Sequence, residues 1–273
     1  MADLCLLFIY DFKQGILNRL KKFVPLAVFV TIICAHLFVL YKNYIFVNDI
    51  ILSEITFADF LIYVLKGMEI YNPNDSSFVP DLTWLLLYTY LFYLVSGYIQ
   101  EDLQSIGKQI LLKCKSRIIW WLSKTFWCIN LVIAFYICIV VSVFIFSVFI
   151  NSRISFICNS DIHMIFSEMV FNNINLKKLL LDFLFIPMLT AVCLSVMQIS
   201  VSLIWGQIVG FVLNVVVLIL SIFVDTDYLI GNMLMPLRQI EGSLSLNNIG
   251  FVFLMIVLLS IVSTVYFHKK DIY

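Results

Sequence analysis

Residues 126–150 read FWCINLVIAFYICIVVSVFIFSVFI, an apolar run with no charged side chain. A helix rises about 1.5 Å per residue, so this run exceeds the roughly 30 Å of hydrocarbon in a bilayer. Backbone polar groups in lipid must be satisfied within their own segment, so the run predicts a transmembrane helix. Working outward, five more apolar stretches have a similar reach: 23–41, 82–98, 179–200, 201–224 and 249–267. Tyr41, Tyr44, Trp84, Tyr98, Trp120, Trp121, Trp127 and Tyr266 gather at their ends, as an interfacial aromatic belt does. The 273-residue chain is 63% hydrophobic with a mean hydropathy of +1.05, above the roughly 45–50% apolar content of soluble domains. The expected fold class is an all-α polytopic membrane protein, one domain over 1–273, with six transmembrane helices.

Charge is balanced, 17 basic against 17 acidic residues, so its placement carries the information. With the N-terminus inside, the cytosolic pieces hold 11 Lys and Arg and the outer pieces 6. Acidic residues lean outward, 11 against 5, with Asp182 in a span. The basic excess on short loops predicts both termini in the cytosol. The stretch 45–71 is apolar but carries Asp49, Glu54, Asp59, Lys66 and Glu69. As a span it would invert either the basic N-terminus or the basic 108–124 loop. It is therefore expected as an outer-surface or re-entrant helix packed on the spans. No cleavable signal peptide is expected, because the first twenty-odd residues are amphipathic. Of the cysteines, Cys5, Cys34, Cys114, Cys128, Cys138, Cys158 and Cys193, only Cys158 falls in an expected external loop, which speaks against a disulfide framework. No CxxC pair occurs and the three histidines are dispersed, so the sequence gives no support for a metal site.

Two cytosolic elements are amphipathic. In 7–22, Ile9, Phe12, Ile16, Leu20 and then Phe23 recur at helical spacing, opposite Asp11, Gln14, Asn18, Lys21 and Lys22. Such a helix lies in the headgroup plane. It reads either as a positive anchor for the first span or as a connecting helix that transmits movement from a partner. In 99–125, Leu103, Ile106, Ile110 and Cys114 share a stripe that Gly107 interrupts.

The residue order of this second segment has more content than its charge. Glu101, Gly107, Leu111, Leu112, Ser116, Arg117, Leu122 and Lys124 follow the order Glu…Gly…Leu-Leu…Ser-Arg…Leu…Lys. In this the chain resembles the permease subunits of type-2 ABC transporters, which commonly show that order between their second and third spans. Lys108-Gln109 and Lys113-Cys114-Lys115 depart from the usual Thr and Pro. The resemblance leans toward bacterial peptide and drug exporters of the phenol-soluble-modulin or lantibiotic-immunity type, which fits an Ile/Phe/Asn/Lys-rich Gram-positive cell-membrane protein. It implies one half of a permease pair, with a second half identical or homologous. It implies a coupling helix that docks on an ABC ATPase subunit in two copies through Glu101, Leu103, Ile106, Gly107, Lys108, Ile110, Leu111, Leu112 and Arg117. ATP and Mg would then belong to that ATPase. The chain itself has no GxxxxGK[ST] loop, so it is expected to be a permease without its own ATPase site. The expected cargo is amphipathic or hydrophobic, a peptide or a drug, with lipid as surroundings and no nucleic acid.

Polar residues at membrane depth are few. Asp182 stands four residues after Lys178, which favours a local pair near the outer interface over an ion site. His36 is expected neutral and internally bonded. Asn130, Gln198, Gln207 and Asn214 are expected to bond neighbouring helices. Residues 197–202 are expected as the turn between spans four and five. The pair Gly206/Gly210 is read first as packing within this chain and second as a contact with the other permease half. Residues 225–248, with Gly231, Pro236, Arg238 and Gly242, are expected as a broken hairpin or short re-entrant helices with a possible gating role. An intramembrane enzyme finds no HExxH, GxSxG or paired acids. A secondary transporter or non-catalytic scaffold is the alternative, although neither internal repeats nor many intramembrane charges are present.

Overall fold

The computed structural model describes residues 2–48, 54–71, 80–104, 117–158, 162, 176–226, 229–241, 250–258 and 260–261. These are helical almost throughout. Helix α1 (Ala2–Gly15) runs through a 3-10 segment (Leu17–Phe23) into α2 (Val24–Asn48). Then come α3 (Phe57–Leu65), α4 (Leu82–Gln104) and α5 (Arg117–Phe149). A turn at Leu176–Lys178 enters a π-helical segment (Leu179–Phe185), followed by α6 (Ile186–Trp205) and α7 (Gln207–Phe223). A 3-10 turn (Ile230–Leu234) and α8 (Pro236–Glu241) precede a last helical stretch at 250–258. No strand occurs among the described residues; an isolated bridge joins Thr56 and Arg153.

Leu6–Val47, Ile118–Phe149 and Leu179–Trp205 are long and apolar enough to cross a membrane. Leu82–Tyr98 and Gln207–Phe223 are shorter apolar helices. The outward faces settle what surrounds them. On α2, Leu26, Val30, Ile33, Cys34 and Leu37 are buried, while Val28, Ile32 and Val39 on the opposite face are exposed. Similarly, α5 exposes Ile137, Val141, Phe144, Ile145 and Val148, and α7 exposes Val212, Val216, Ile219 and Leu220. A water-soluble helix would carry charge on those faces, so exposed apolar surface on this scale marks a membrane protein.

The third apolar helix starts nine residues before its expected limit, at Arg117 instead of Phe126. Trp120, Trp121, Ser123 and Lys124 are buried inside it, which the uncharged run alone did not predict. Its 33 residues extend about 50 Å. Twenty residues separate Lys124 from Phe144 along it, about 30 Å, the thickness of the hydrocarbon layer.

Of the outer-surface or re-entrant helix expected at 45–71, the structure shows a short helix that packs on α5 and is buried instead of lying at the surface. Helix α2 continues through its first residues, and α3 is buried at every position. Nine residues span only about 14 Å, so α3 cannot cross the bilayer. Thr56 and Asp59 form a capping box that fixes its start, with the Thr56 N–H and hydroxyl donating to Asp59 Oδ2 at 2.9 and 2.8 Å. Phe57 and Phe60 then meet Phe144, Phe146 and Phe156 edge-on. Aromatic packing on α5 draws the helix in despite its carboxylate.

The turn between α6 and α7 lies at Gly206, beyond the expected 197–202. Nothing in 197–202 stops a helix, whereas Gly206 adopts φ +100° and donates its N–H to the Ser202 carbonyl. Pro187 explains the other irregularity. It lacks the N–H that would bond the Phe183 carbonyl, and the wider π turn lies just before it. Of the expected span at 249–267, residues 250–258 and 260–261 are described, and all of these are helical.

Candidate functional site

The 99–125 segment can be read at its two ends, where α4 stops and α5 starts. Residues 105–116 lie outside the described residues, and with them Ile106, Gly107, Lys108, Ile110, Leu111 and Leu112. Leu103 and Arg117 are helical, and their side chains also lie outside the described set. What the structure does place is the polar chemistry on either side of that gap.

Lys124, only 1% exposed, lies between two carboxylates. Its Nζ donates to Asp11 Oδ1 at 2.5 Å and to Asp102 Oδ2 at 2.6 Å. Asp11 also accepts from the Tyr98 hydroxyl at 2.7 Å and from the Ser123 hydroxyl at 2.5 Å. The Tyr10 hydroxyl reaches Asp102 at 3.4 Å. The Lys124 Nζ stands 4.9 Å from the centre of the Tyr98 ring and 5.2 Å from that of Trp120. Asp11 and Asp102 are themselves buried, at 1% and 4% exposure. Just outside, Arg19 Nη2 donates to Glu101 Oε2 at 2.5 Å, with its guanidinium 5.1 Å from the Tyr98 ring.

The geometry follows from helical spacing. Tyr98, Glu101 and Asp102 stand at i, i+3 and i+4 on the last turns of α4, so all three face one way. Ser123 and Lys124 are adjacent on the second turn of α5. On α1, Leu7, Asp11 and Gly15 form the i, i+4, i+8 line turned inward, and all three are buried. Phe8 packs edge-on against Phe126, while Gly15 lies so close to Trp127 that a Cβ there would be 2.0 Å from Nε1. Seven residues of α1, about 10 Å, therefore meet one turn of α5, so α1 crosses α5 instead of running beside it.

Along the predicted interfacial stripe, Ile16 is buried and Phe12 half-buried, while Ile9 and Leu20 are exposed. Asp11, assigned from sequence to the polar face, points into the protein. The cause is the cation on α5, which gives Asp11 an internal partner, together with the room that Gly15 leaves for Trp127. The sequence signal for this was Lys124 itself, set among Trp120, Trp121 and Trp127.

Chemically the cluster is a tie. The acceptor positions of Asp11 are occupied by three donors from two other helices. Buried charges are tolerated only with such compensation. One end of the molecule thus joins α1 to both arms of the 99–125 segment.

The middle of the bundle holds a neutral network. Gln198 Nε2 donates to the Phe92 carbonyl at 2.9 Å, and Asn214 Nδ2 donates to Gln198 Oε1 and the Leu194 carbonyl, each at 3.0 Å. It joins α4, α6 and α7, as expected of polar residues at this depth. A Cβ on Gly210 would lie 2.2 Å from Ser202 Oγ and 2.7 Å from the Gln198 carbonyl, so this glycine serves packing within the chain. Asn130 instead bonds its own helix at the Phe126 carbonyl.

The far end is capped. Arg238 donates to the Ser221 and Ile222 carbonyls that end α7, to Asn232 Oδ1 and to the Glu69 carbonyl, at 2.6, 2.9, 3.0 and 3.1 Å. A cation there also complements the negative end of the α7 dipole. Trp84 Nε1 donates to the Leu234 carbonyl at 3.0 Å. Gly67, at φ +76°, brings its backbone against Met235. Lys66 faces Asp81 at 3.7 Å; burial pushes its ammonium below the ordinary lysine range, and Asp81 opposes that. Two short helical segments, Ile230–Leu234 and Pro236–Glu241, lie here, with 231–238 buried, and 227–228 and 242–248 lie outside the described residues. His36 is internally bonded, its Nδ1 2.8 Å from the Tyr63 hydroxyl, although its side chain is exposed. Asp182 is half-buried in the π segment, and the side chain of Lys178 lies outside the described set. Cys34, Cys128, Cys138, Cys158 and Cys193 are free thiols.

Compared with known proteins, the chain matches no protein-family model, no curated protein and no solved structure.

Proposed function

We propose that the chain is the membrane-spanning half of an ATP-driven exporter of the type-2 ABC class, working in the cell membrane of a Gram-positive bacterium. A separate ATPase, in two copies, supplies hydrolysis with ATP and Mg. A second permease half, identical or homologous, completes the pathway. The cargo is an amphipathic or hydrophobic peptide or drug, moved outward by alternating access.

The observation that carries this reading is the Asp11–Lys124–Asp102 tie. A segment pushed by an outside motor must hand its displacement to something rigid. Here both arms of the 99–125 segment end in long helices, α4 and α5, and both are fastened to α1 by buried charge. A shift of the segment then moves three elements together, and α5 carries it about 30 Å to the level of α3. A loop that served only as a basic stop to insertion would have no need of a buried three-helix junction. Lys108, Lys113 and Lys115 offer the cationic face for the motor.

Purification from native membranes in mild detergent tests the reading. The expected result is co-elution of a polypeptide with a phosphate-binding loop, together with ATPase activity that rises with amphipathic peptides. Reversing the charge at Lys108, Lys113 and Lys115 is expected to separate hydrolysis from transport. A chain that purifies alone and transports in vesicles without nucleotide overturns the proposal.

A further inference from the structure

A second site lies where α5, α3 and the π-helical segment diverge. A groove of about 260 Å³ opens there, with an entirely apolar lining that includes Leu61, Val141, Phe144, Phe156, Leu180 and Leu184. Val141, Phe144, Phe156 and Leu180 are exposed, so the groove is open to its surroundings. Val141 and Phe144 stand eight and five residues before the end of α5, so the groove extends about 8–12 Å below that end. It faces the same medium as the apolar outer faces of α2, α5 and α7, which is lipid.

Two cations flank the groove at the end of α5, with the exposed Glu54 two residues before Thr56, which bridges to Arg153. Arg153 directly precedes the lining residue Ile154, and its side chain is exposed. Among the described residues it forms no salt bridge. Lys177, two residues before the lining residue Leu179, is exposed as well. Asp59, on the neighbouring α3, is turned inward onto Thr56. The backbone of Arg153 is fixed independently of its guanidinium, because its carbonyl accepts from the Phe57 and Ser155 N–H groups at 3.1 and 2.9 Å.

We propose that this groove holds one acyl chain of an anionic phospholipid, with its phosphate at the Arg153/Lys177 rim. An apolar slot that begins at a membrane-edge cation and descends along a spanning helix has the chemistry of a single lipid, apolar below and anionic above. Its volume lies under the roughly 300–1,000 Å³ of pockets for drug-sized ligands, which favours one chain over bulky cargo. The inference needs only the membrane setting and stands apart from the exporter reading.

The test is native mass spectrometry of the purified full chain, titrated with phosphatidylglycerol or with phosphatidylcholine of the same acyl chains. The expected result is one phosphatidylglycerol retained per chain, at least fivefold more than phosphatidylcholine. V141W fills the groove and is expected to lower retention at least tenfold, whereas V148W, equally exposed on α5 but outside the groove, leaves it unchanged. R153Q removes one of the two rim charges without touching the backbone bonds and is expected to weaken the preference for phosphatidylglycerol, and R153Q/K177Q to erase it. Equal retention by V141W and the native chain overturns the site. Should V141W fail to fold, a photoreactive acyl chain on phosphatidylglycerol reads the same point in native protein. Labelling of the 141–144 and 180–184 peptides supports the site, and uniform labelling of all exposed helix faces overturns it. Equal binding of both lipids, unaltered by R153Q, also overturns the proposal.

Discussion

Replacing Lys124 with methionine keeps most of the side-chain length, ending one atom short of Nζ, and removes its charge. Asp11 and Asp102 would then face each other across the vacated position. Their nearest oxygens lie 2.5 and 2.6 Å from Nζ, so the two carboxylates are no more than about 5 Å apart. At an effective dielectric constant near 20, two unit charges at that distance repel by about 3 kcal/mol. Each carboxylate also loses a charge-assisted hydrogen bond, and breaking a buried pair on one side typically costs about 3–5 kcal/mol. The expected loss for K124M is therefore about 3–5 kcal/mol. The triple variant D11N/D102N/K124M leaves no buried charge and is expected to recover most of it, because neutral replacement of a whole buried cluster is often near-neutral. Unfolding in mixed micelles, followed by tryptophan emission, reads both, since Trp120 and Trp127 line this junction. A K124M protein within about 0.5 kcal/mol of the native one would refute the reasoning, as would a triple variant no more stable than the single.

Gly210→Val drives new atoms into Ser202 and the Gln198 carbonyl, and is expected to destabilise the α6–α7 hairpin by about 1–3 kcal/mol in the same assay. Arg238→Met strips donors from three carbonyls and Asn232, with an expected loss of about 3 kcal/mol and earlier proteolysis of 229–241. Burial holds the Cys158 thiol above its ordinary range, and desolvation is the main cause. Alkylation of Cys158 is therefore expected to stay slow between pH 7 and 8.5 in the folded protein and to become fast on unfolding.

The membrane class was legible because it rests on apolar length, which sequence displays directly. The uncharged run before Ile150 became the core of α5, and the polar pairing of Gln198 and Asn214 followed from their depth. Helix ends were less legible, because they depend on single backbone events. Gly206 ended α6 because its φ is +100°, while the charge-free 197–202 stretch stayed helical. The buried status of α3 was hidden by Asp59, whose charge reads as surface until Thr56 is seen to cap it. The candidate site was hidden in the same way. Asp11 was assigned to the polar face of the first helix and Lys124 to the basic 99–125 segment, because periodicity along one helix carries no record of a partner 113 residues away. The i, i+4, i+8 line Leu7–Asp11–Gly15 was visible, but only Trp127 gives it meaning.

The central claim is that the basic segment between α4 and α5 is the face on which an ATPase pushes. A photoreactive amino acid placed at Lys108, in native membranes, addresses it directly. The account predicts one dominant adduct, to a polypeptide that carries a phosphate-binding loop, strengthened or weakened when nucleotide is exchanged. Adducts confined to lipid or to other copies of this chain, unchanged by nucleotide, would contradict it.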